Sequence, residues 1–465
     1  MIKKVSILLA FALTFVNIFA FNSVSFAETP PPNISAPYAV LMDYTSGKIL
    51  YQKNPHAQMY PASTTKMWTA YVTLKHVKNL DEVVTVGNIG HIDGTSMYLV
   101  PGEKLTVRQL LDGLLIVSAN DAAVVLAEHV SGSVPEFAKL MNEEAKKVGA
   151  VDTHFNNANG LPDTQHYTSA YDMALMAREA MSNDVFRKIV STKMMRIPAT
   201  PLYQERFLKN TNQFLTGSGQ IPYDGKMVDI QYNIVDGIKT GFTDDAGKCL
   251  LSSAKKDDMR LISAVFKADG DTNLYVDSRT LLDYGFNNFK SEKSIDKSTY
   301  TGSKSIWYSK ERKLDYVPKY SYYTVINKNE ENPTYKTEVK LNDFKLPIKK
   351  GDTVGTLEVY KDDEKKPIAN IPLIAQNNVT NLFKSILNNK IVKFIISALT
   401  GVLGLIVLFI LLVLLRKKIR RNKRRNYMYN KKKNIYSNKK NIYSSKKRKN
   451  IYSNKKSTHR RKRRY

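Results

Sequence analysis

Apolar positions recur at helical spacing over residues 63–75, where Met67, Ala70, Tyr71 and Leu74 share one side. The same period predicts helices over 107–115, 122–129 and 171–181, the last opened by Thr168 and Ser169 as caps. Residues 39–43, 248–254 and 260–266 read as strands. The turn Thr45-Ser46-Gly47-Lys48 predicts a hairpin joining 39–42 to 49–52. From about Asn287 the pattern changes to short alternating stretches, such as 336–341 and 352–360, separated by polar turns. This predicts a small all-β domain ending near Gln376.

Two apolar runs lie outside this pattern. The first, 5–21, follows Lys3 and Lys4 and precedes Ser25-Phe26-Ala27, the layout of a secretory signal peptide over 1–27. The second, 394–415, holds 22 residues without a charge, enough to cross a bilayer core of about 30 Å. Arg416-Lys417-Lys418 follows at once, so the positive-inside rule puts the tail in the cytoplasm and the preceding chain outside. The expectation is a single-pass membrane protein with its folded part outside the cytoplasm. Between the β-rich segment and the span, 377–393 carries Leu382, Phe383, Ile386, Leu387 and Ile391 on one helical side. It reads either as an amphipathic segment on the outer surface or as a short linker.

Charge sharpens this layout. The net charge of +29 would suggest a nucleic-acid partner if it were spread evenly. It is not: 24 of the 71 Lys and Arg, and no acid, lie in 416–465, leaving 47 bases against 42 acids before it, a net of +5. The tail also repeats Asn-Ile-Tyr-Ser at Asn434, Asn441 and Asn450. A block this basic is expected to be disordered and to favour anionic lipid over nucleic acid. A hydrophobic content of 43% excludes wholesale disorder, and one cysteine excludes a disulfide framework or a Cys-rich zinc site.

The seven histidines form no HExxH spacing, and no GxSxG elbow or phosphate-binding glycine loop occurs. Neither a metal nor a cofactor is expected. Pro61-Ala-Ser63-Thr-Thr-Lys66 contains Ser-x-x-Lys, which puts hydroxyl and amine on one helical face. Ser63 needs a base to become a nucleophile, and Lys66 serves as one only if burial or a nearby cation lowers its pKa. Ser118-Ala-Asn120 offers a hydroxyl for proton relay and an amide for a substrate carbonyl. Asp236-Gly-Ile-Lys239-Thr-Gly241 supplies a second cation and two glycines that permit close backbone approach. Each triplet alone is common; the three in this order are specific. Cys249, in an apolar strand-like stretch, reads as a buried small hydrophobe.

With these motifs the chain resembles the low-molecular-weight penicillin-binding proteins, the serine-type D-alanyl-D-alanine carboxypeptidases. The likeness extends over 61–66, 112–123, Asn159-Gly-Leu161 with 166–173, and 236–250, and the segment Pro347-Ile-Lys-Lys-Gly351-Asp-Thr-Val-Gly355 is similar to the family's C-terminal domain. Phe242 stands where several relatives carry His, and many relatives end in an amphipathic surface helix in place of a full span. The resemblance implies an α+β fold: a β-lactamase/DD-peptidase-like catalytic domain, with an antiparallel sheet flanked by helices, over 28–286. An all-β domain over 287–376 and one transmembrane helix would follow.

It further implies an acyl transfer on the penultimate D-Ala carbonyl of a peptidoglycan stem pentapeptide, with β-lactams as covalent inhibitors. Ser63 would be the nucleophile, Lys66 the general base and Ser118 the proton relay. Backbone N–H groups of Ser63 and Phe242 would form the oxyanion hole. Lys239 and Thr240, with Gly241 beside them, would take the terminal carboxylate, and Asn120 the peptide backbone. A β-lactamase on the same fold is the alternative enzyme. It needs a further base for deacylation, and no Glu-x-x-Leu-Asn occurs; Glu205-Arg-Phe-Leu208-Lys209 comes nearest and lacks the Asn. A tail-driven membrane scaffold is the non-enzymatic alternative.

Overall fold

The computed structural model describes residues 30–329 and 333–456. The expected signal peptide lies outside them. Two compact units make up the chain. One takes the sequence up to Thr301 with Val317–Asn342 and Gly355–Leu373; the other takes Gly302–Tyr316, Asp343–Val354 and the chain from Ile374 on.

The first unit is built on a five-stranded antiparallel sheet. Its strands are β1 (Tyr38–Asp43), β2 (Ile49–Lys53), β9 (Val235–Thr243), β10 (Gly247–Lys256) and β11 (Met259–Ala268), in the order β2-β1-β11-β10-β9. Helices fill the gap in sequence: α1 (Thr65–His76), α2 (Val107–Ile116), α3 (Asn120–Ser131), α4 (Val134–Lys147), α5 (Ala170–Ala180), α6 (Asp184–Val190) and the single turn α7 (Gln213–Thr216). Three short hairpins lie among them: β3 (Val83–Thr85) with β4 (Lys104–Thr106), β5 (Met194–Ile197) with β6 (Arg206–Lys209), and β7 (Gln220–Tyr223) with β8 (Lys226–Asp229). Helix α8 (Gly270–Asn288) closes this part.

The strand period of two explains the layering. Val40, Met42, Leu251, Ile262, Ala264 and Phe266 join the core formed with α1, α2, α3 and α5. Their neighbours Ala39, Leu41, Leu250, Leu261 and Val265 point to the other face and pack on Leu274, Leu281 and Leu282 of α8. Central strands covered on both faces read as continuous apolar runs. Trp68, Phe137, Phe155 and Phe186 are fully buried on the α1 side, each stabilising the fold by about 2–3 kcal/mol.

The expected helices over 63–75, 107–115, 122–129 and 171–181 appear within a few residues of their predicted ends, as do the hairpin and both long strands. Their ends follow local chemistry. Thr106 and Gln109 form a capping box on α2, and Ser169 caps α5 through the Asp172 N–H.

After α8, the described residues up to Ala375 contain strands and no helix: β12 (Phe289–Ile295), β13 (Gly302–Ser305), β14 (Lys313–Pro318), β15 (Tyr322–Asn327), β16 (Tyr335–Leu341), β17 (Thr353–Lys361) and β18 (Ala369–Ala375). Within the first unit β12 pairs with β15, and β16 with β17, both antiparallel. In the second unit, Ser303, Lys304 and Ser305 of β13 pair antiparallel with β14.

The second unit ends in α9 (Leu382–Asn388), capped by the Asn381 side chain, and α10 (Lys390–Lys456), whose apolar segment is long enough to cross a membrane. Here the structure departs from the expected disordered tail, because α10 runs on through the basic segment to Lys456. No Gly or Pro occurs after Gly404. Lys and Arg are good helix formers, and a helix already nucleated by the apolar run extends without a new nucleation penalty.

Candidate active site

Ser63 sits in a 3-10 turn (Ala62–Thr64) that runs straight into α1. Ala62 precedes it with φ +48°, a left-handed conformation unusual for alanine. The loop 156–160 packs directly on this turn. A methyl group on Gly160 (φ +84°) would stand 1.9 Å from the Ala62 carbonyl oxygen, so only glycine fits there.

Lys66, one turn into the same helical path, is fully buried. Its Nζ donates to Ser63 Oγ at 2.7 Å and to the Asn159 carbonyl at 2.6 Å. Burial, with the nearby Lys239 cation adding to it, drives the Lys66 pKa well below the lysine range; Asp121 acts weakly against this. The condition set by the sequence for a lysine base is therefore met by its surroundings.

Ser118 ends the segment after α2 with φ +67°, and Asn120 opens α3. Left-handed non-glycine residues each store on the order of 1–2 kcal/mol, and they gather at functional sites. The Asn120 Nδ2 donates to the Asp93 carbonyl at 2.5 Å, which fixes the amide, while its buried Oδ1 has no partner among the described residues. That orphan acceptor suits an incoming peptide N–H. The Asp121 carboxylate accepts from Ser96 Oγ, Met97 N and Leu99 N, so the loop before β4 is tied to the Ser118-Ala-Asn120 segment. The base of that loop is pinned by Glu103, buried and held by Arg206 at 2.7 and 2.9 Å.

β9 brings in the third element. Its register pairs Gly241 with Cys249 and Phe242 with Lys248. Lys239 is buried, donates to its neighbour's carbonyl on Thr240 at 2.9 Å, and is pulled down by burial to about 7. The Thr240 hydroxyl lies 2.7 Å from that of Thr211. Half-exposed Phe242 borders a cleft of about 310 Å³ whose walls also include Ser63, Ser118, Thr240 and Gly241. Cys249 lines it too, and burial raises its thiol to about 12, which makes it inert as a nucleophile.

All three motifs thus meet at one cleft. Several supporting residues were not singled out for a role by the motifs. The Asn159 carbonyl holds Lys66 through main-chain geometry, which sequence spacing does not encode. His166 is buried; its Nδ1 accepts the N–H groups of Asn156 and Asn157, and its Nε2–H therefore donates to Thr65 Oγ1 at 2.9 Å. Glu205, the nearest approach to a deacylating acid in sequence, pairs with Arg196 on the β5–β6 hairpin and is not among the residues lining the cleft.

Known proteins and family models match most of the chain. Residues 25–270 match the peptidase S11 family model, described as D-alanyl-D-alanine carboxypeptidase, and 289–381 match the C-terminal domain of penicillin-binding protein 5. The D-alanyl-D-alanine carboxypeptidase DacF of Bacillus subtilis is 32% identical, over 73% of this chain and 85% of its own length. DacD of Escherichia coli is 33% identical, over 78% of this chain and 91% of its own. The crystal structure of penicillin binding protein 5 from Haemophilus influenzae superposes with a TM-score of 0.60 at 32% identity, covering 76% of this chain and all of that one.

Proposed function

This chain belongs to the D-alanyl-D-alanine carboxypeptidase family and is a serine hydrolase of that type, and from that premise we propose that Ser63 is its nucleophile and works through an acyl-enzyme. The observation that carries this is the 2.7 Å contact between Ser63 Oγ and a buried, pKa-lowered Lys66. The neutral Lys66 amine takes the hydroxyl proton as Oγ bonds to the carbonyl carbon of the penultimate D-Ala. The carbonyl oxygen, now an oxyanion, is held by the backbone N–H groups of Ser63 and Phe242.

Collapse of this intermediate breaks the C–N bond. The departing D-Ala nitrogen receives a proton through Ser118, and water then cleaves the ester and restores Ser63. Asn120 holds the peptide backbone through its unpartnered oxygen. Lys239 tunes Lys66, and Lys239 and Thr240 stand at the carboxylate end beside Gly241. Because β-lactams present a strained amide to the same serine, they label it covalently.

The domain division proposed is the one read from the sequence: a catalytic segment over 28–286, a β domain over 287–376, a juxtamembrane segment over 377–393, a span over 394–415 and a basic tail over 416–465; the family matches over 25–270 and 289–381 support its catalytic and β parts. The apolar part of α10 and the charge step at Arg416 support anchoring in the bacterial cytoplasmic membrane, catalytic part outward. The tail, lacking any acid, would then meet anionic lipid on the inner leaflet.

The decisive experiment is Ser63→Ala in the full chain. It should release no D-Ala from stem pentapeptide and take no fluorescent penicillin; retained labelling would end the assignment. Long-lived penicilloyl-enzyme in the wild type supports the carboxypeptidase, whereas rapid penicillin turnover would favour a β-lactamase.

A further inference from the structure

The leaving D-Ala carries a free carboxylate, and the cleft must supply a cation for it. Lys239 is poorly placed to do so alone. It is 1% exposed, donates to the Thr240 carbonyl, and at neutral pH holds only part of its charge. It is also not among the residues whose atoms line the cleft.

Farther along the same wall, the register of β9 on β10 sets Lys248 beside Phe242. The Lys248 Nζ lies 4.5 Å from the centre of the Phe242 ring and 3.1 Å from the Asp271 carboxylate at the start of α8. Both charged side chains are open to solvent, at 30% and 50% exposure. Among the described residues lining the cleft, these two alone carry formal charge. The hydroxyls of Thr240 and Thr211 stand along that wall 2.7 Å apart; one donates to the other, so the pair offers one further donor.

We propose that Lys248 is the specificity-determining cation of this cleft, taking the terminal carboxylate of the acyl-D-Ala-D-Ala substrate together with the one donor offered by the Thr240–Thr211 hydroxyl pair. Phe242 supports the ammonium by a cation–π contact, leaving N–H bonds free to face the cleft. Asp271 holds Lys248 in place between turnovers and yields it to the stronger, multiply bonded substrate carboxylate. This assignment rests on Ser63 being the nucleophile and deepens that reading. It explains how a site whose motif lysines are both sealed in the interior selects a chain end over an internal peptide bond.

The test compares an acyl-D-Ala-D-Ala tripeptide with the same peptide capped as its C-terminal amide, using the full chain in detergent. Wild type should prefer the free acid. Lys248→Met should raise KM for the acid about 10-fold or more with little change in kcat, and abolish the preference. Lys248→Arg should keep it, and Asp271→Asn should lower KM for the acid about 2-fold or more.

A preference unmoved in Lys248→Met, or lost equally in Lys248→Arg, overturns the assignment. An unchanged or higher KM in Asp271→Asn overturns the holding role of Asp271. Wild-type D-Ala release and penicillin labelling at Ser63 separate the two levels. If both are present and the preference ignores Lys248, this inference alone fails; if both are missing, the underlying reading of the site fails.

Discussion

A methyl group on Gly241 would stand 3.1 Å from the backbone nitrogen of Ser63, and 3.0 Å from that of Thr64. β9 therefore packs closely on the nucleophile turn, and Ser63, Gly241 and Phe242 line the same cleft. Gly241→Ala should leave the fold intact, because the neighbours need to give only a few tenths of an ångström. It should nevertheless push the turn and the strand apart; a misplacement of about 1 Å costs about 100-fold, so this smaller shift should lower kcat/KM by about 10-fold. D-Ala release with thermal unfolding as control measures it; wild-type activity would show that the approach is not needed.

The second prediction concerns the pH limb of acylation. Lys66 must be neutral to accept the Ser63 proton, so penicillin acylation should rise with pH through the lowered Lys66 pKa. Lys239 disfavours the charged form of Lys66. Lys239→Met removes that repulsion, raises the Lys66 pKa and should move the limb to higher pH. A limb that stays in place in stopped-flow acylation would mean that the two cations do not communicate.

Replacing the base itself is more severe. Lys66→Arg keeps the positive charge but cannot be deprotonated near neutral pH. Acylation should slow by about 10²–10⁴-fold, the range of general-base catalysis. Labelling at near wild-type rate would sink the role of Lys66.

His166 gives a stability prediction. Burial lowers its pKa from 6.5 to about 4, so the folded protein keeps it neutral while the unfolded chain protonates. The contribution is fully present above pH 6.5 and is lost as pH falls from 6.5 toward 4, by on the order of 3 kcal/mol. His166→Gln should flatten the denaturant midpoint across that window. The same pH slope in the variant would point to another group.

The buried Glu103–Arg206 pair should matter to stability through its desolvated charges. Burial alone would raise the Glu103 pKa, yet the Arg206 guanidinium and the Thr200 hydroxyl outweigh it and hold the carboxylate low. Arg206→Met leaves that carboxylate buried and unpaired, which should destabilise the protein by about 3–5 kcal/mol. Calorimetry checks this, and the double variant Glu103→Gln with Arg206→Met should recover part of the loss.

Much of the fold was legible because its elements advertise themselves locally. The helix carrying Lys66 shows its apolar side, and β10 and β11 show long apolar runs. Helix α8 was not singled out as an element, although Leu274, Tyr275, Leu281, Leu282 and Phe286 recur at helical spacing and form its buried side. The tail was misjudged for a different reason. Its composition argues against a packed core, which is correct, but an extension of an existing helix needs no core.

By itself, the sequence determined which chemical groups the protein possesses and their order along the chain: a serine three residues before a lysine, a Ser-Ala-Asn segment, and a Lys-Thr-Gly strand. It also determined the apolar run at 394–415 and the charge step behind it. The tertiary structure alone decided that Lys66 is sealed from water next to a second cation, that the Asn159 carbonyl shares it with Ser63, and that Lys248 and Asp271 face the cleft. Those properties depend on distance and exclusion of solvent between segments as much as 208 positions apart, from Ser63 to Asp271. Local spacing carries no information about either; both are set when the sheet closes against the helices.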